Sequence, residues 1–374
     1  MIQRILENVI TEKFFLGKAI ILLGARQVGK TTLLQQIAEK QQLSVRFYNC
    51  DEPETRDLLT NVNIATLKLA IGNNKLIIID EAQKVENIGL TLKLIVDNFK
   101  DVQLIATGSS AFELRNKLNE PLTGRKYEYI MYPISTSELV KAEGILEEKK
   151  LFESRLIYGS YPDIINRKTD VKELLTLLID SYLYKDILEL EEIRKPALLN
   201  KLLVAIALQL GNEVSYNELA QTVLSDSKTV EKYIDLLEKC FVIFRLNALS
   251  RNLRNELKKS KKIYFYDNGV RNAILQNFSP LNLRDDTGAL WENFFVSERI
   301  KQNHYNRNFA KLYFWRTTQQ QEIDLVEEAD GQFTAFEIKW NAKRKTNFPA
   351  SFIASYPIKE MVIITPANYL DFLL

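Results

Sequence analysis

The chain has a single histidine and two cysteines in 374 residues. With only His304 present, histidine-based triads and His-rich metal sites are excluded, and its polar neighbourhood reads as surface. Cys50 and Cys240 lie far apart and form no disulfide framework or zinc pattern. They point to a reducing, cytoplasmic setting. Charge of one sign is also missing. The 50 Lys and Arg against 48 Asp and Glu leave a net charge of +2, so no global field attracts nucleic acid and any basic patch has to be local. No apolar run reaches the roughly 18 residues of a membrane span. The opening Met1-Ile2-Gln3-Arg4-Ile5-Leu6-Glu7 has no signal-peptide core, and no membrane partner is expected. Repeats and low-complexity linkers are absent. What remains, 46% hydrophobic and 26% charged, is ordinary for globular protein, and the length points to two or three domains.

Against this plain background one stretch stands out. Gly24-Ala25-Arg26-Gln27-Val28-Gly29-Lys30-Thr31 reads G-x-x-x-x-G-K-T, the P-loop pattern. The apolar run Ala19-Ile20-Ile21-Leu22-Leu23 before it suits a buried parallel strand. After it, Leu33, Leu34 and Ile37 share one helical face. A strand, a glycine loop and a helix N-terminus turn backbone N–H groups towards phosphate. Gly24 to Thr32 is therefore the expected ATP cradle. Lys30 is its cation for the β- and γ-phosphates, and the Thr31 hydroxyl is a Mg²⁺ ligand.

Leu76-Ile77-Ile78-Ile79-Asp80-Glu81 is an apolar strand ending in two acids, the Walker B form. Asp80 is expected to hold Mg²⁺ through water, and Glu81 to act as general base on the attacking water. A further strand, Gln103–Thr107, runs into Gly108-Ser109-Ser110. Thr107 and Ser109 are candidates for sensing the γ-phosphate and placing the water; Gly-Ser-Ser also suits a plain turn. Tyr127–Met131 is the next strand. Arg125, just ahead of it, is placed either as an arginine finger, acting in cis or on a neighbouring subunit, or as a solvated arginine beside Lys126.

These pieces resemble the AAA+ branch of P-loop ATPases. More narrowly, the chain is similar to a bacterial and archaeal ATPase family in which a short ATPase is fused to a C-terminal domain of unsettled function. The resemblance rests on Gly24 to Thr32, Ile77 to Gln83, Thr107 to Ser110, Thr123-Gly124-Arg125, Pro133-Ile134-Ser135 and the later Gly159-Ser160-Tyr161-Pro162.

Lys141 to Glu153 and Leu174 to Leu190 read as helices; core packing accounts for Tyr182, Tyr184 and Asp186. Ser215-x-x-Glu218 is a capping box that opens a short helix. Val230, Tyr233, Ile234 and Leu237 mark a second helix, and Phe241–Leu246 a strand. Helix, turn, helix, strand is the winged-helix order, which places the second helix for DNA. Its outward residues mix both signs, so protein contact is an equal reading. The better cationic stretch lies between 245 and 262: Arg245, Arg251, Arg254, Lys258, Lys259, Lys261 and Lys262.

In the last quarter, a helix carrying Glu292 precedes three antiparallel strands, 311–316, 322–326 and 333–340. Period two puts Glu337 and Lys339 on one face, and Asp324 on the partner strand aims at the same place. Glu292, Asp324, Glu337 and Lys339 match the PD-(D/E)XK nuclease pattern, in which acids hold Mg²⁺ and the lysine steadies phosphate charge. The resemblance also implies that fold. A degenerate domain is the alternative.

The expected architecture is an α/β P-loop NTPase with an AAA+-like parallel sheet over 1–140. A helical connector (141–200), a winged-helix-like domain (201–275) and an α/β restriction-endonuclease-like domain (276–374) follow. The expected function is Mg²⁺-dependent ATP hydrolysis coupled to DNA binding or processing. The alternative is an ATP-switched regulator that grips a protein partner through a non-cleaving C-terminal domain. A homo-oligomer is compatible with both.

Overall fold

The computed structural model describes residues 2–374 except 110–117, 119–120, 168, 190–194, 251–260 and 344–346; for 181–189 it describes the backbone. Ser110, Arg251, Arg254, Lys258 and Lys259, and the side chains of Tyr182, Tyr184 and Asp186, fall outside the described residues. The chain divides into two compact units. One comprises Met1–Pro133 with Lys239–Phe241, the other Ile134–Glu238 with Val242–Leu374.

Among the described residues, the first unit is built on a five-stranded sheet: β1 (Ala19–Leu23), β2 (Val45–Asn49), β3 (Leu76–Asp80), β4 (Gln103–Gly108) and β5 (Lys126–Ile130). The order is β2-β3-β4-β1-β5 and every pairing is parallel. β1, β3 and β4 are buried along their whole length. Their unbroken apolar runs satisfy both faces of a sheet interior. The edge strands β2 and β5 are more polar and more exposed. β4 sits between the P-loop strand β1 and the acid-bearing β3. The helix Lys30–Gln41 buries Leu33, Leu34 and Ile37, the face its spacing marked. Parallel strands bring their carboxyl ends to one edge, where such sheets take ligands.

The second unit holds a seven-stranded mixed sheet among the described residues. Its strands are β6 (Glu213–Val214), β7 (Ile243–Ala248), β8 (Lys261–Phe265), β9 (Lys311–Arg316), β10 (Glu322–Ala329), β11 (Gln332–Ile338) and β12 (Ile358–Ile364). The order is β12-β11-β10-β9-β7-β8-β6. β9, β10 and β11 are antiparallel neighbours, and β12 runs parallel to β11.

The expected boundaries at 200/201 and 275/276 do not separate compact bodies. β7 pairs with β8 on one edge and takes β9 on the other, Asn247 opposite Tyr313 and Ala248 opposite Phe314. A strand with one free edge leaves backbone N–H and C=O groups to be satisfied, and β9 supplies the partner. The first compact unit ends at Pro133, a few residues short of the expected 140.

The helix expected over 141–153 is two helices, Thr136–Glu143 and Ile145–Tyr158, broken at Gly144 with φ +89°. The first opens on a capping box that the sequence reading passed over. Ser135 Oγ accepts from Glu138 N, and Ser135 N donates to Glu138 Oε2 at 2.9 Å. Among the described residues no helix is long and apolar enough to cross a membrane.

Candidate functional site

At the carboxyl edge of the first sheet, the loop between β1 and the helix Lys30–Gln41 closes on itself. Gly24 has φ +155°, and a Cβ there would stand 2.2 Å from the Met131 carbonyl oxygen. No side chain fits, so the motif's first glycine is required by backbone crowding as well as by its turn. Gln27 and Gly29 also take positive φ, +59° and +93°. Ala25 and Val28 are buried, Arg26 and Gly29 half-buried, and Gln27 and Thr32 exposed.

Lys30 is nearly buried and donates from Nζ to Gly24 O at 2.8 Å and Ala25 O at 2.9 Å. Its ammonium thus lies across the loop's own carbonyls. Thr31 Oγ1 donates to Asp80 Oδ2 at 2.8 Å, joining the two motifs. Thr107 is fully buried; its hydroxyl donates to Asp80 Oδ1 and accepts from Glu81 N at 3.2 Å. Thr107 therefore braces the acid pair from β4. Glu81 Oε2 accepts from Ser109 Oγ at 2.9 Å and from Gln83 Nε2 at 2.5 Å. Gln83 Nε2 also donates to Ser109 Oγ at 3.2 Å. The sequence reading used Gln83 only as part of a motif string; its spacing two residues after Glu81 was the available signal. The backbone N–H of Cys50 donates to Asp80 O at 3.0 Å. Burial, and then the charges of Asp80 and Glu81, push the Cys50 thiol up to about 12, so it stays a neutral packing group.

Arg125 lies elsewhere. Its carbonyl accepts from Ala19 N at 2.9 Å, at the amino end of β1, and Lys126 pairs with Ala19 while Ile130 pairs with Leu23. The P-loop leaves the opposite end. Five residues at about 3.3 Å each put roughly 16 Å between the two, beyond an arginine's reach. Action in cis is thereby corrected. Nε donates instead to Asp97 Oδ1 at 2.8 Å, and that hydrogen bond holds the Asp97 carboxyl below its usual range.

In the second unit, Asp324, Glu337 and Lys339 meet. Lys339 Nζ lies 2.9 Å from Asp324 Oδ2 and 2.7 Å from Glu337 Oε2. Ile338 N donates to Asp324 Oδ2 at 2.7 Å. Burial, and then the Asp324 charge, raise Glu337 to about 7. Glu292 belongs to an adjoining group. Its Oε1 accepts from Tyr264 OH at 2.6 Å and Lys262 Nζ at 3.1 Å, and Lys262 also pairs with Glu322 at 2.6 Å. Burial raises Glu292, Lys262 opposes this, and the Asp324 charge adds to it, so the two groups feel each other.

Lys262, Tyr264 and Glu322 are members that sequence reasoning missed. Lys262 and Tyr264 share one face of β8 at period two, which was the available signal. Among the described residues no group of three or more His, Cys, Asp and Glu is arranged to hold a metal. Asp324 and Glu337 are engaged by Lys339, and Glu292 by Lys262.

Of the cationic stretch from 245 to 262, Arg245, Lys261 and Lys262 are among the described residues. Lys262 is 1% exposed; burial works against its charge, but Tyr264, Glu292 and Asp324 hold it well above its ordinary value. A lysine so enclosed cannot follow a phosphate backbone. Arg245 pairs with Asp235 at 2.6 Å and with Glu238, and donates to Tyr216 OH at 3.1 Å. Lys261 stands 5.2 Å over the Tyr216 ring.

Comparison with known proteins matches three successive segments of the chain. Residues 16–140 match the AAA domain, while 149–281 and 287–371 match two domains of unknown function. An uncharacterized protein of Mycobacterium tuberculosis is 26% identical over 364 residues, 94% of this chain and 77% of its own length. One from Haemophilus influenzae is 26% identical over 271 residues, 67% of this chain and 68% of its own. Among solved structures, a Walker-type ATPase of Pyrococcus abyssi superposes with a TM-score of 0.51 at 17% identity, covering 74% of this chain and 96% of that one. Residues 16–140 are thus similar to an AAA domain, and the likeness to the Walker-type ATPase is one of fold.

Proposed function

We propose that the protein is a Mg²⁺-dependent ATPase whose turnover is coupled to DNA. The observation that carries the ATPase reading is the junction of Thr31, Asp80 and Thr107 with Glu81 beside it. The residues fit the substrate and its ion. A backbone cradle that admits no Cβ at Gly24 leaves N–H groups to phosphate, and a hydroxyl beside a carboxylate is an oxygen set suited to a hard cation. Thr31 and Asp80 would hold Mg²⁺, which when bound neutralises charge on the β- and γ-phosphates.

Lys30 exchanges the Gly24 and Ala25 carbonyls for phosphate oxygens. Thr107 keeps Asp80 oriented while it does so. Glu81 accepts a proton from the attacking water as the new P–O bond forms and the bond to the ADP oxygen breaks. Ser109 and Gln83 fix the direction of the Glu81 carboxylate through Oε2.

The DNA reading is supported by two element orders. The helix Pro196–Leu208, β6, the helices Tyr216–Val223 and Ser227–Lys239, then β7 and β8 follow winged-helix order, with β8 between β6 and β7. The helix Thr287–Tyr305, β9 to β11, the helix Ala350–Ser355 and β12 follow the order of nuclease-like cores, with Asp324, Glu337 and Lys339 at the strands' meeting point. A second reading, an ATP-switched regulator of a protein partner with a non-cleaving C-terminal domain, is favoured by the engaged Arg245 and Lys262.

The test is ATP hydrolysis with Mg²⁺, alone and with single- or double-stranded DNA, over a salt series, with the DNA checked for cuts. We expect stimulation that falls steeply with salt. Hydrolysis indifferent to DNA, with no DNA binding at low salt, sinks the DNA reading in favour of the protein partner. No hydrolysis under any condition sinks the ATPase reading itself.

A further inference from the structure

Arg4 belongs to none of the motifs, yet it reaches the P-loop from behind. It caps the helix Ile5–Thr11 and is 6% exposed. Nη1 donates to Val28 O at 2.8 Å, and Nη2 donates to Tyr132 O at 2.6 Å. Val28 is the loop residue before Gly29. The peptide joining them is planar and trans, so its C=O and N–H point in opposite directions. A donor that holds Val28 O on one side therefore sets Gly29 N–H on the other. Gly29 needs such a hold, since at φ +93° it has no side chain to resist a peptide flip.

The second bond closes the frame. Met131 N donates to Leu23 O at 2.7 Å, and Met131 O is the atom crowding Gly24. By binding the next carbonyl, Tyr132 O, one guanidinium ties the last part of the loop to the segment that bounds its first glycine. The platform is firm. Leu6 and Ile10 are buried, and Glu7 Oε1 meets Lys40 Nζ at 2.5 Å, joining this helix to the one that starts at Lys30.

We propose that Arg4 is a positioning residue for the polyphosphate: it holds the Val28–Gly29 peptide so that Gly29 N–H is presented to the phosphates. This rests on the reading of the P-loop as the ATP site. A planar fork with two divergent donors suits the task, and a lysine's single ammonium does not.

The test uses the full chain and its Arg4→Ala and Arg4→Lys variants. ADP and ATP binding are titrated with Mg²⁺, and KM and kcat are measured for ATP. We expect Arg4→Ala to weaken ADP and ATP alike by about tenfold, the loss of charge-assisted hydrogen bonds. KM should rise more than kcat falls, Arg4→Lys should lie between, and millimolar guanidinium should restore part of the affinity to Arg4→Ala alone. Wild-type affinity in Arg4→Ala overturns the proposal. Should Arg4→Ala not fold, Arg4→Lys decides: weakened binding in a folded protein supports the proposal, and wild-type binding overturns it. Failure of the wild type to bind either nucleotide is a different result, which removes the ATP reading of the P-loop first.

Discussion

Glu81 sits at φ +52°, a left-handed conformation that a non-glycine residue seldom adopts and that clusters at functional sites. The turn brings its carboxylate to Ser109 and Gln83 immediately after Asp80 has been placed by Thr31 and Thr107. On the proposed reading, the two adjacent acids have separate tasks. We expect Glu81→Gln to bind ATP as the wild type does and to lose turnover by at least about a hundredfold, the scale of a general base. Binding titrations and a phosphate-release assay check this, and wild-type turnover would remove Glu81 from the role. Glu337 gives a pH prediction of a different kind. Its folded value of about 7 lies above the ordinary 4.5, pushed there by burial, with Asp324 and Glu322 adding to the shift and Lys339 opposing it. A carboxyl raised on folding binds its proton more tightly in the native state, so stability falls as pH rises from about 4.5 to about 7 and levels off above. In chelator-treated protein, Glu337→Gln should flatten that part of the melting-temperature curve. An unchanged slope would show that Glu337 does not carry it.

At the scale of elements, the middle strand β4 is what lets the two phosphate motifs act together. It lies between β1 and β3 and delivers Thr107 to Asp80 and Glu81 from a buried position. Thr107→Val keeps the shape and removes both hydrogen bonds. We expect hydrolysis to fall by about 10- to 100-fold, as for lost partners of a metal-holding acid, with the Mg²⁺ requirement shifted upward. Unchanged Mg²⁺ dependence would mean that Asp80 is held by other means. Much of this unit could be read from the sequence, because β1, β3 and β4 are continuous apolar runs and glycines mark the loop. The second unit was legible in pieces only. Local periodicity gave β9 to β11 and the meeting of Asp324, Glu337 and Lys339, but no local pattern encodes the pairing of Asn247 with Tyr313. Lys262 misled for a related reason: a lysine in a basic run reads as exposed, and its burial depends on Glu292 and Glu322 from distant segments. Gly144 was visible, but the charged run around it read as one helix, where φ +89° breaks it in two.

At the scale of the whole molecule, Arg125 raises the question of a second copy. The residue precedes β5, and in a parallel sheet that places it at the edge opposite the P-loop, so a catalytic role has to be played on a neighbour's nucleotide. The arginine is available for this, because its link to Asp97 joins two side chains that are 40% and 35% exposed, and exposed pairs hold weakly. Two inactive variants decide the matter. Arg125→Ala keeps its own Glu81 but offers no finger; Glu81→Gln offers a finger but has no base. If Arg125 acts in trans, each alone hydrolyses little ATP, and the mixture regains activity, because a Glu81→Gln copy supplies Arg125 to the intact site of its Arg125→Ala neighbour. The recovered rate should rise with protein concentration, as assembly does. A mixture no more active than the sum of its parts, or Arg125→Ala alone at wild-type turnover, would leave Arg125 as a surface residue paired with Asp97 and remove the catalytic argument for an oligomer.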